Sequence, residues 1–320
     1  MKIIYGIEDI PSIEGAVVTS GTFDGVHFGH QKILRQVVEH AKKSNGKSVV
    51  LTFWPHPRFV LSDGKSDLKL LSTFDEKAQL LEQVGIDYLI QINFTKEFSQ
   101  LSSEEFIQGI LVDKIGTKEL VIGYDHRFGK NRTGGFDYLK ENSGNYGFNV
   151  EEIKRQDIDH VGVSSTKVRE ALLFGAVDHA NHYLGRNYSL TGKVVEGQKV
   201  GKSIGFPTAN IEIKETYKLV PKDGVYAVNV EVAGQVWEGM LNIGERPTIE
   251  GAGRSIEVNI FDMDQDIYNE EIKVSFIKRI RDEKKFEGVE LLKAQLKDDL
   301  DSAKEILKNQ KKREGEKIKN

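Results

Sequence analysis

The residues best placed to do chemistry lie in one short stretch, Ser20-Gly21-Thr22-Phe23-Asp24-Gly25-Val26-His27-Phe28-Gly29-His30. Its two imidazoles offer donors that can stabilise charge developing on a phosphoryl group. The flanks say what positions them. Residues 16–19, Ala-Val-Val-Thr, have the pattern of a short buried strand, and Ile33, Leu34, Val37, Val38 and Ala41 recur at helical spacing. The stretch is therefore a glycine-rich strand-to-helix turn. A helix N-terminus has unpaired N–H groups and partial positive charge, which suit a phosphate. Taken alone, His-x-Gly-His reads equally well as a tight turn whose histidines cap or pack.

The elements that must carry this turn are legible around it. Residues 47–53 read as a second buried strand ending at Trp54-Pro55-His56-Pro57-Arg58, where two prolines argue against both helix and strand. Thr73-Phe74-Asp75-Glu76 is a capping box opening a helix, 87–94 a third strand, Ser102 to Glu105 another helix start, and 118–122 a fourth strand. That strand runs into Gly123-Tyr124-Asp125-His126-Arg127-Phe128-Gly129. Strands alternating with helices predict a doubly wound parallel sheet, whose ligands lie beyond the strands' carboxyl ends. The polar clusters His27/His30, His56/Arg58 and Asp125/Arg127 all follow strands. A further helix start, Ser164-Ser165-Thr166-Lys167-Val168-Arg169, is on its own an ordinary Ser/Thr cap. Beside the histidine turn it reads as a second phosphate-facing N-terminus, with Arg169 reaching the same phosphates.

A boundary is expected near Gly185, giving domains at 1–184 and 185–320. Beyond it come short β runs over 189–195, 224–232, 235–243, 255–261 and 271–276, the pattern of an antiparallel barrel or sandwich. The end is a long helix with an apolar stripe, Val289, Leu292, Leu296, Leu300, Ala303 and Leu307, followed by a charged tail expected to fray over 310–320. Gly197-Gln198-Lys199-Val200-Gly201-Lys202-Ser203 has three residues between its glycines where a Walker A motif has four. It reads as a glycine loop that could cradle phosphates, or as a plain hairpin turn. In Gly205-Phe206-Pro207-Thr208-Ala209-Asn210 the Thr208 and Asn210 oxygens share a face and could hold Mg²⁺. Glu257, alternating with Ile256 and Val258, is either a solvent-facing strand residue or the base a hydroxyl-phosphorylating site needs.

Composition bounds the function. The 320 residues suit two domains, with 38% hydrophobic and 29% charged residues enough for real cores. A net charge of −4 gives no attraction for nucleic acid or an anionic membrane. With no Cys, thiolate metal sites and cysteine nucleophiles are excluded. The start lacks a signal-peptide core and no apolar run approaches a membrane span, so a cytoplasmic protein is expected.

Gly21-x-Phe23-Asp24-Gly25-x-His27-x-Gly29-His30 with Ser164-Ser165-Thr166-x-x-Arg169 resembles the nucleotidylyltransferase superfamily. The motifs Thr52-Phe53-x-Pro55-His56-Pro57 and Gly123-Tyr124-Asp125-x-Arg127-Phe128-Gly129 resemble its flavin-adenylylating branch, the first module of bacterial bifunctional riboflavin kinase/FAD synthetases. Gly201-x-x-x-Gly205-Phe206-Pro207-Thr208-Ala209-Asn210, Pro221-x-x-Gly224-Val225-Tyr226-Ala227 and Asn242-Ile243-Gly244-x-x-Pro247-Thr248 resemble the riboflavin kinase module. Gly162 and Lys202 depart from the pattern, standing where such proteins often carry a basic residue and an Arg. The resemblance implies a Rossmann-like nucleotidylyltransferase domain followed by a β-barrel domain with a C-terminal helix. It implies riboflavin, FMN, FAD and ATP/ADP as ligands, Mg²⁺ as cofactor, and a monomer or weak homo-oligomer. His27, His30, Arg169 and Glu257 would be catalytic. Gly21, Phe23, Asp24, Gly25, Asp125, Arg127, Ser165, Thr166, Gly201, Lys202, Gly205 and Phe206 would contact nucleotide or flavin, and Thr208 and Asn210 the metal. The rivals are a nucleotidylyltransferase for another phosphate compound, which leaves the second module without a task, and a flavin-binding regulatory protein.

Overall fold

The structure, a computed structural model, describes residues 1–123, 127–130, 134–153, 162–197, 200–246 and 253–319. The chain divides into two compact units, Met1–Ser165 and Thr166–Asn320.

In the first unit β1 (Lys2–Tyr5), β2 (Ala16–Ser20), β3 (Lys47–Trp54), β4 (Tyr88–Asn93), β5 (Glu119–Gly123) and β6 (Asn149–Ile153) form one parallel sheet, ordered β1-β4-β3-β2-β5-β6. The helices between them are α1 (Phe28–Lys43), α2 (Pro57–Leu61), α3 (Phe74–Val84), α4 (Ser103–Phe106), which continues as a π-helical stretch over Ile107–Val112, and α5 (Phe136–Tyr146). Leu34 and Val38 of α1 and Ala78 and Leu81 of α3 pack on Val50 and Leu89 on one face. Ile107, Ile110, Leu111 and Leu139 cover Val18, Val49, Ile90 and Ile122 on the other. The sheet is thus doubly wound, and its order reverses between β2 and β5, where open α/β sheets bind ligands. At the far end of α1, His40 Nδ1 lies 2.7 Å from Glu119 Oε1 and 3.2 Å from Glu151 Oε2, fastening the helix end to β5 and β6.

Two edge strands, β1 and β6, are added to the four expected. Each is short and mixed in burial, so neither presents an apolar run. The two prolines after β3 do not exclude a helix. Pro57 occupies the first turn of α2, where its missing N–H is no loss, and His56 Nδ1 caps the turn by accepting from Arg58 N at 3.2 Å.

The second unit begins with α6 (Ser165–Phe174) and α7 (Val177–Leu184), then β7 (Ser189–Val195), α8 (Val200–Ser203), β8 (Ala209–Glu212), β9 (Gly224–Val232), β10 (Gln235–Arg246), β11 (Gly253–Ile260), β12 (Glu271–Arg281) and α9 (Val289–Lys319). The six strands close an antiparallel barrel, β10-β11-β8-β7-β12-β9. Helices α6 and α7 are fastened to the barrel. Lys222 N donates to Leu172 O at 3.0 Å, and Asn181 donates to Phe276 O at 2.8 Å while accepting from Tyr188 N at 2.7 Å.

The stripe on α9 packs as expected through Ala303 and Leu307, with Leu296 and Leu300, onto Ala227, Met240, Phe261 and Ile277. Its first member, Val289, stays outside this contact, 53% exposed. The buried carboxylate of Asp299 takes a bidentate pair from Arg281, both bonds 2.8 Å, locking α9 to β12. The helix does not fray at 310 but runs through Lys319, rich in good helix formers and tied by Lys311 to Glu238 at 2.8 Å.

Candidate active sites

In the first unit the site is a strained turn and the groups that hold it. Gly21 N donates to Leu51 O at 3.0 Å, carrying the chain off the end of β2. Phe23 and Val26 then adopt φ of +45° and +38°, which cost a β-branched or bulky residue energy unless the surroundings impose them. Burial imposes them here: both side chains sit in the cluster with Leu34, Val50 and Leu81. Gly25, at φ +78°, admits no side chain, since a Cβ would lie 2.7 Å from Leu71 Cδ1.

Asp24 supports the turn from within the protein. Its buried carboxylate accepts from Leu71 N at 2.9 Å and from Ser72 N at 3.1 Å, binding the 71–72 segment beneath the turn. Gly25 N donates to Ser72 Oγ at 3.1 Å in return. From α3, Lys77 Nζ donates to Thr22 O at 2.9 Å and Thr52 Oγ1 at 3.1 Å. Burial pulls its ammonium down to about 8, against the opposing field of Asp24.

His27 is the N-cap of α1. Its Nδ1 accepts from His30 N at 3.3 Å, so in the neutral ring the proton sits on Nε2, ready to donate. The two imidazoles stack with centroids 3.7 Å apart, and Phe23 meets His30 edge-on at 5.2 Å. Ser165, the last residue of the first unit and the first of α6, donates from Oγ to Asp24 O at 2.9 Å. Thr166 and Arg169 follow on that helix, exposed and half-buried.

Gly21, Phe23, His30 and Arg127 line one cavity of about 720 Å³ at the carboxyl ends of β2, β3 and β5, joined by Arg58 and Lys130. Asp125 lies outside the described residues. One wall is a chain of phenylalanines. Phe53, Phe94 and Phe98 have centroids 5.6–6.0 Å apart, and Phe98, Phe106 and Phe128 continue the series at 6.3 and 5.5 Å. Sequence reading missed this wall and Lys77. Phenylalanines at 94, 98 and 106 look like core positions, and a lysine inside an amphipathic helix looks like surface.

In the second unit the site is a matter of register. Glu257 pairs with Asn210 across β8 and β11, which puts both side chains on the same face, while Ile256 and Val258 are buried on the other. Thr208, two residues before Asn210, donates from Oγ1 to Glu257 Oε2 at 3.3 Å. Asn259 Nδ2 donates to Pro207 O at 2.6 Å and fixes the approach to this segment. The expected cluster of Thr208, Asn210 and Glu257 is therefore assembled, with Glu257 half-buried rather than solvent-facing.

The glycine loop above it is more than a hairpin turn. It contains the helical turn α8, after which Gly201 O accepts from Ile204 N at 3.2 Å and Phe206 N at 2.9 Å. Gly201 must lack a side chain because a Cβ would lie 2.3 Å from Phe206 O, and Gly205 takes φ +88°. Lys202 lies in α8, its side chain outside the described set. A second cavity, of about 560 Å³, opens at this end of the barrel and is lined by Thr208, Val258 and residues 263–268.

A switch-point turn with paired histidines, and a barrel with a Thr–Asn–Glu cluster under a glycine loop, define a two-module transferase acting on phosphate compounds. Comparison with known proteins makes this specific. Residues 9–167 match the family model for FAD synthetase and residues 184–307 that for riboflavin kinase. Bifunctional riboflavin kinase/FMN adenylyltransferases from Pseudomonas fluorescens and Listeria monocytogenes are 37% and 39% identical, covering 96% and 93% of this chain and 98% and 96% of theirs. A solved structure described as a macrolide-efflux protein from Streptococcus pneumoniae is 31% identical with a TM-score of 0.84, covering 95% of this chain and 99% of that one. The chain belongs to the bifunctional riboflavin kinase/FMN adenylyltransferase family.

Proposed function

We propose that this chain makes FAD from riboflavin in two transfers, one in each unit. In the barrel, Glu257 accepts the proton of the ribityl 5′-hydroxyl as its oxygen attacks the γ-phosphorus of ATP, giving FMN and ADP. Gly201, Lys202, Gly205 and Phe206 cradle the ATP phosphates. Three oxygen-bearing side chains, Thr208, Asn210 and Glu257, converge there, a donor set that fits a hard cation such as Mg²⁺. Thr208 and Asn210 would hold the ion, which when bound neutralises charge on the transferring phosphoryl group.

In the first unit, a phosphate oxygen of FMN attacks the α-phosphorus of a second ATP. The bond to the β-phosphate breaks, leaving FAD and pyrophosphate. The turn of residues 21–25 receives the phosphates, with Phe23 packing behind them and Asp24 and Gly25 fixing its shape. His27 and His30 donate to the developing charge, while Ser165, Thr166 and Arg169 engage the departing pyrophosphate. The phenylalanine wall suits a flat flavin ring, Arg127 borders the same cavity, and Asp125 would add a nucleotide or flavin contact. Catalysis is positioning plus electrostatics, with no covalent intermediate. A cytoplasmic setting belongs to the same proposal. It is supported by the absence of Cys and by no helix among the described residues being long and apolar enough to cross a membrane.

The observation that carries this reading is the presence of two separate constellations, the second falling within residues 184–307 and the first within 9–167 except for Arg169, two residues beyond. A chromatographic time course of riboflavin with excess MgATP tests it. FMN should rise first and then convert to FAD. FMN that accumulates without FAD would remove the first-unit assignment, and no FMN at all would remove the barrel's.

A further inference from the structure

We propose that Lys77 is a positioning residue for adenylyl transfer, a buried ammonium that holds the phosphate-binding turn in shape from beneath. The proposal rests on the first unit being the adenylylation site. Lys77 lies on α3 and is 5% exposed. Its two acceptors, Thr22 O and Thr52 Oγ1, belong to the turn and to β3, so one side chain ties three elements together. Thr22 is the residue before Phe23, whose φ is the first strained angle of the turn and whose ring sets the edge against which His30 stands. A shift at the Thr22 peptide therefore moves the imidazole.

Packing alone would be served by a neutral side chain, because burying a charge is costly unless it is compensated. Compensation is partial here. Asp24 faces Lys77 from the turn, but its oxygens already accept from Leu71 and Ser72. From its own helix come Asp75, which is exposed, and Glu76, whose carboxylate accepts from Thr73 N in the capping box. From β3 comes only a hydroxyl, that of Thr52, and the N-terminus of α1 carries His27 and His30. The ammonium thus lies under a turn that receives a triphosphate. There it favours the charge that develops during transfer. A lysine kept at this cost, in this place, is explained by what binds above it.

The test follows FAD formation from FMN, and FMN formation from riboflavin, in the full-length wild type, Lys77→Met and Lys77→Arg over a range of pH. Lys77→Met should lower kcat for adenylylation about 10-fold or more at neutral pH, with KM for ATP changing less than about threefold and riboflavin phosphorylation unchanged. Wild-type adenylylation should decline along an alkaline limb near pH 8, where the ammonium is lost. Lys77→Arg should move that limb upward by about one unit or more, since a guanidinium stays charged. Adenylylation by Lys77→Met within about twofold of wild type would overturn the proposal, as would one alkaline limb shared by all three proteins. If the methionine variant fails to fold and loses both activities, the limb of the arginine variant decides alone. A wild type that makes FMN and no FAD would instead overturn the adenylylation reading beneath the proposal.

Discussion

The turn after β2 and the strand pair β8–β11, the two proposed phosphate sites, are built differently, one from strained backbone and the other from side chains in register. In the turn, Phe23 and Val26 are bent into positive φ, and that shape persists because Asp24, Ser72 and Lys77 grip it from below. In the barrel, Thr208, Asn210 and Glu257 meet because antiparallel register places them on one face. Strain needs a buried support that spends folding energy. Register needs only the ladder, which the barrel forms in any case. The first site should therefore be sensitive to residues that never touch a ligand, and the second chiefly to those that do.

The largest effects should be a crossed pair. His30→Ala should cut adenylylation by about 10²-fold or more and leave riboflavin phosphorylation intact. Glu257→Ala should cut phosphorylation by about 10²–10⁴-fold and leave adenylylation of supplied FMN intact. Either variant losing both activities while still folded would abolish the separation of sites on which the contrast depends.

Next in size is a stability effect confined to the barrel. Arg281→Ala leaves the Asp299 carboxylate, 1% exposed, with a hydrogen bond from Gln295 at 3.1 Å. The loss should be about 3 kcal/mol, as for other broken buried pairs. Trp237 on β10 reports this unfolding and Trp54 on β3 does not. A fall seen equally by both tryptophans would contradict the assignment of α9 to the barrel's stability.

Asp24→Ala sharpens the contrast from the other side. It leaves two buried N–H groups, those of Leu71 and Ser72, without their carboxylate, at about 1–3 kcal/mol. Adenylylation should fall about tenfold even though the carboxylate is buried beneath the turn, while phosphorylation holds. Normal adenylylation by this variant would mean the turn keeps its shape unaided.

What the sequence disclosed follows the same division. The doubly wound sheet, the capping boxes at Thr73 and Ser102 and five of the six barrel strands were legible, β8 being the exception, because periodicity and caps are local signals. The face shared by Thr208, Asn210 and Glu257 was partly legible, since alternation fixes faces within a strand. Its closure came only with the β8–β11 register, which links residues 49 apart. The supports of the turn were illegible. Asp24 holds backbone groups 47 and 48 residues away, and Lys77 is 55 residues from the carbonyl it holds. Pro57 misled in the opposite direction, since a proline forbids the middle of a helix but suits its first turn.

The smallest effect bears directly on the cost of a buried support. An unfolded lysine titrates near 10.4, whereas Lys77 in the folded unit titrates at about 8. Between those values the unfolded chain carries one more proton than the folded one, so this group makes stability rise with pH. From pH 8 to pH 9 the gain is about 1 kcal/mol, because half of the folded population is already neutral at the start of that interval. Lys77→Met removes the titrating group and with it this slope. Denaturant unfolding followed by Trp54, in a Trp237→Phe background, should therefore show wild type gaining on the methionine variant over that interval. Wild type losing ground instead would mean that the ammonium is better compensated than Asp24 alone allows. In that case the turn would be held by an ordinary ion pair, and the contrast with the barrel would rest on Phe23 and Val26 alone.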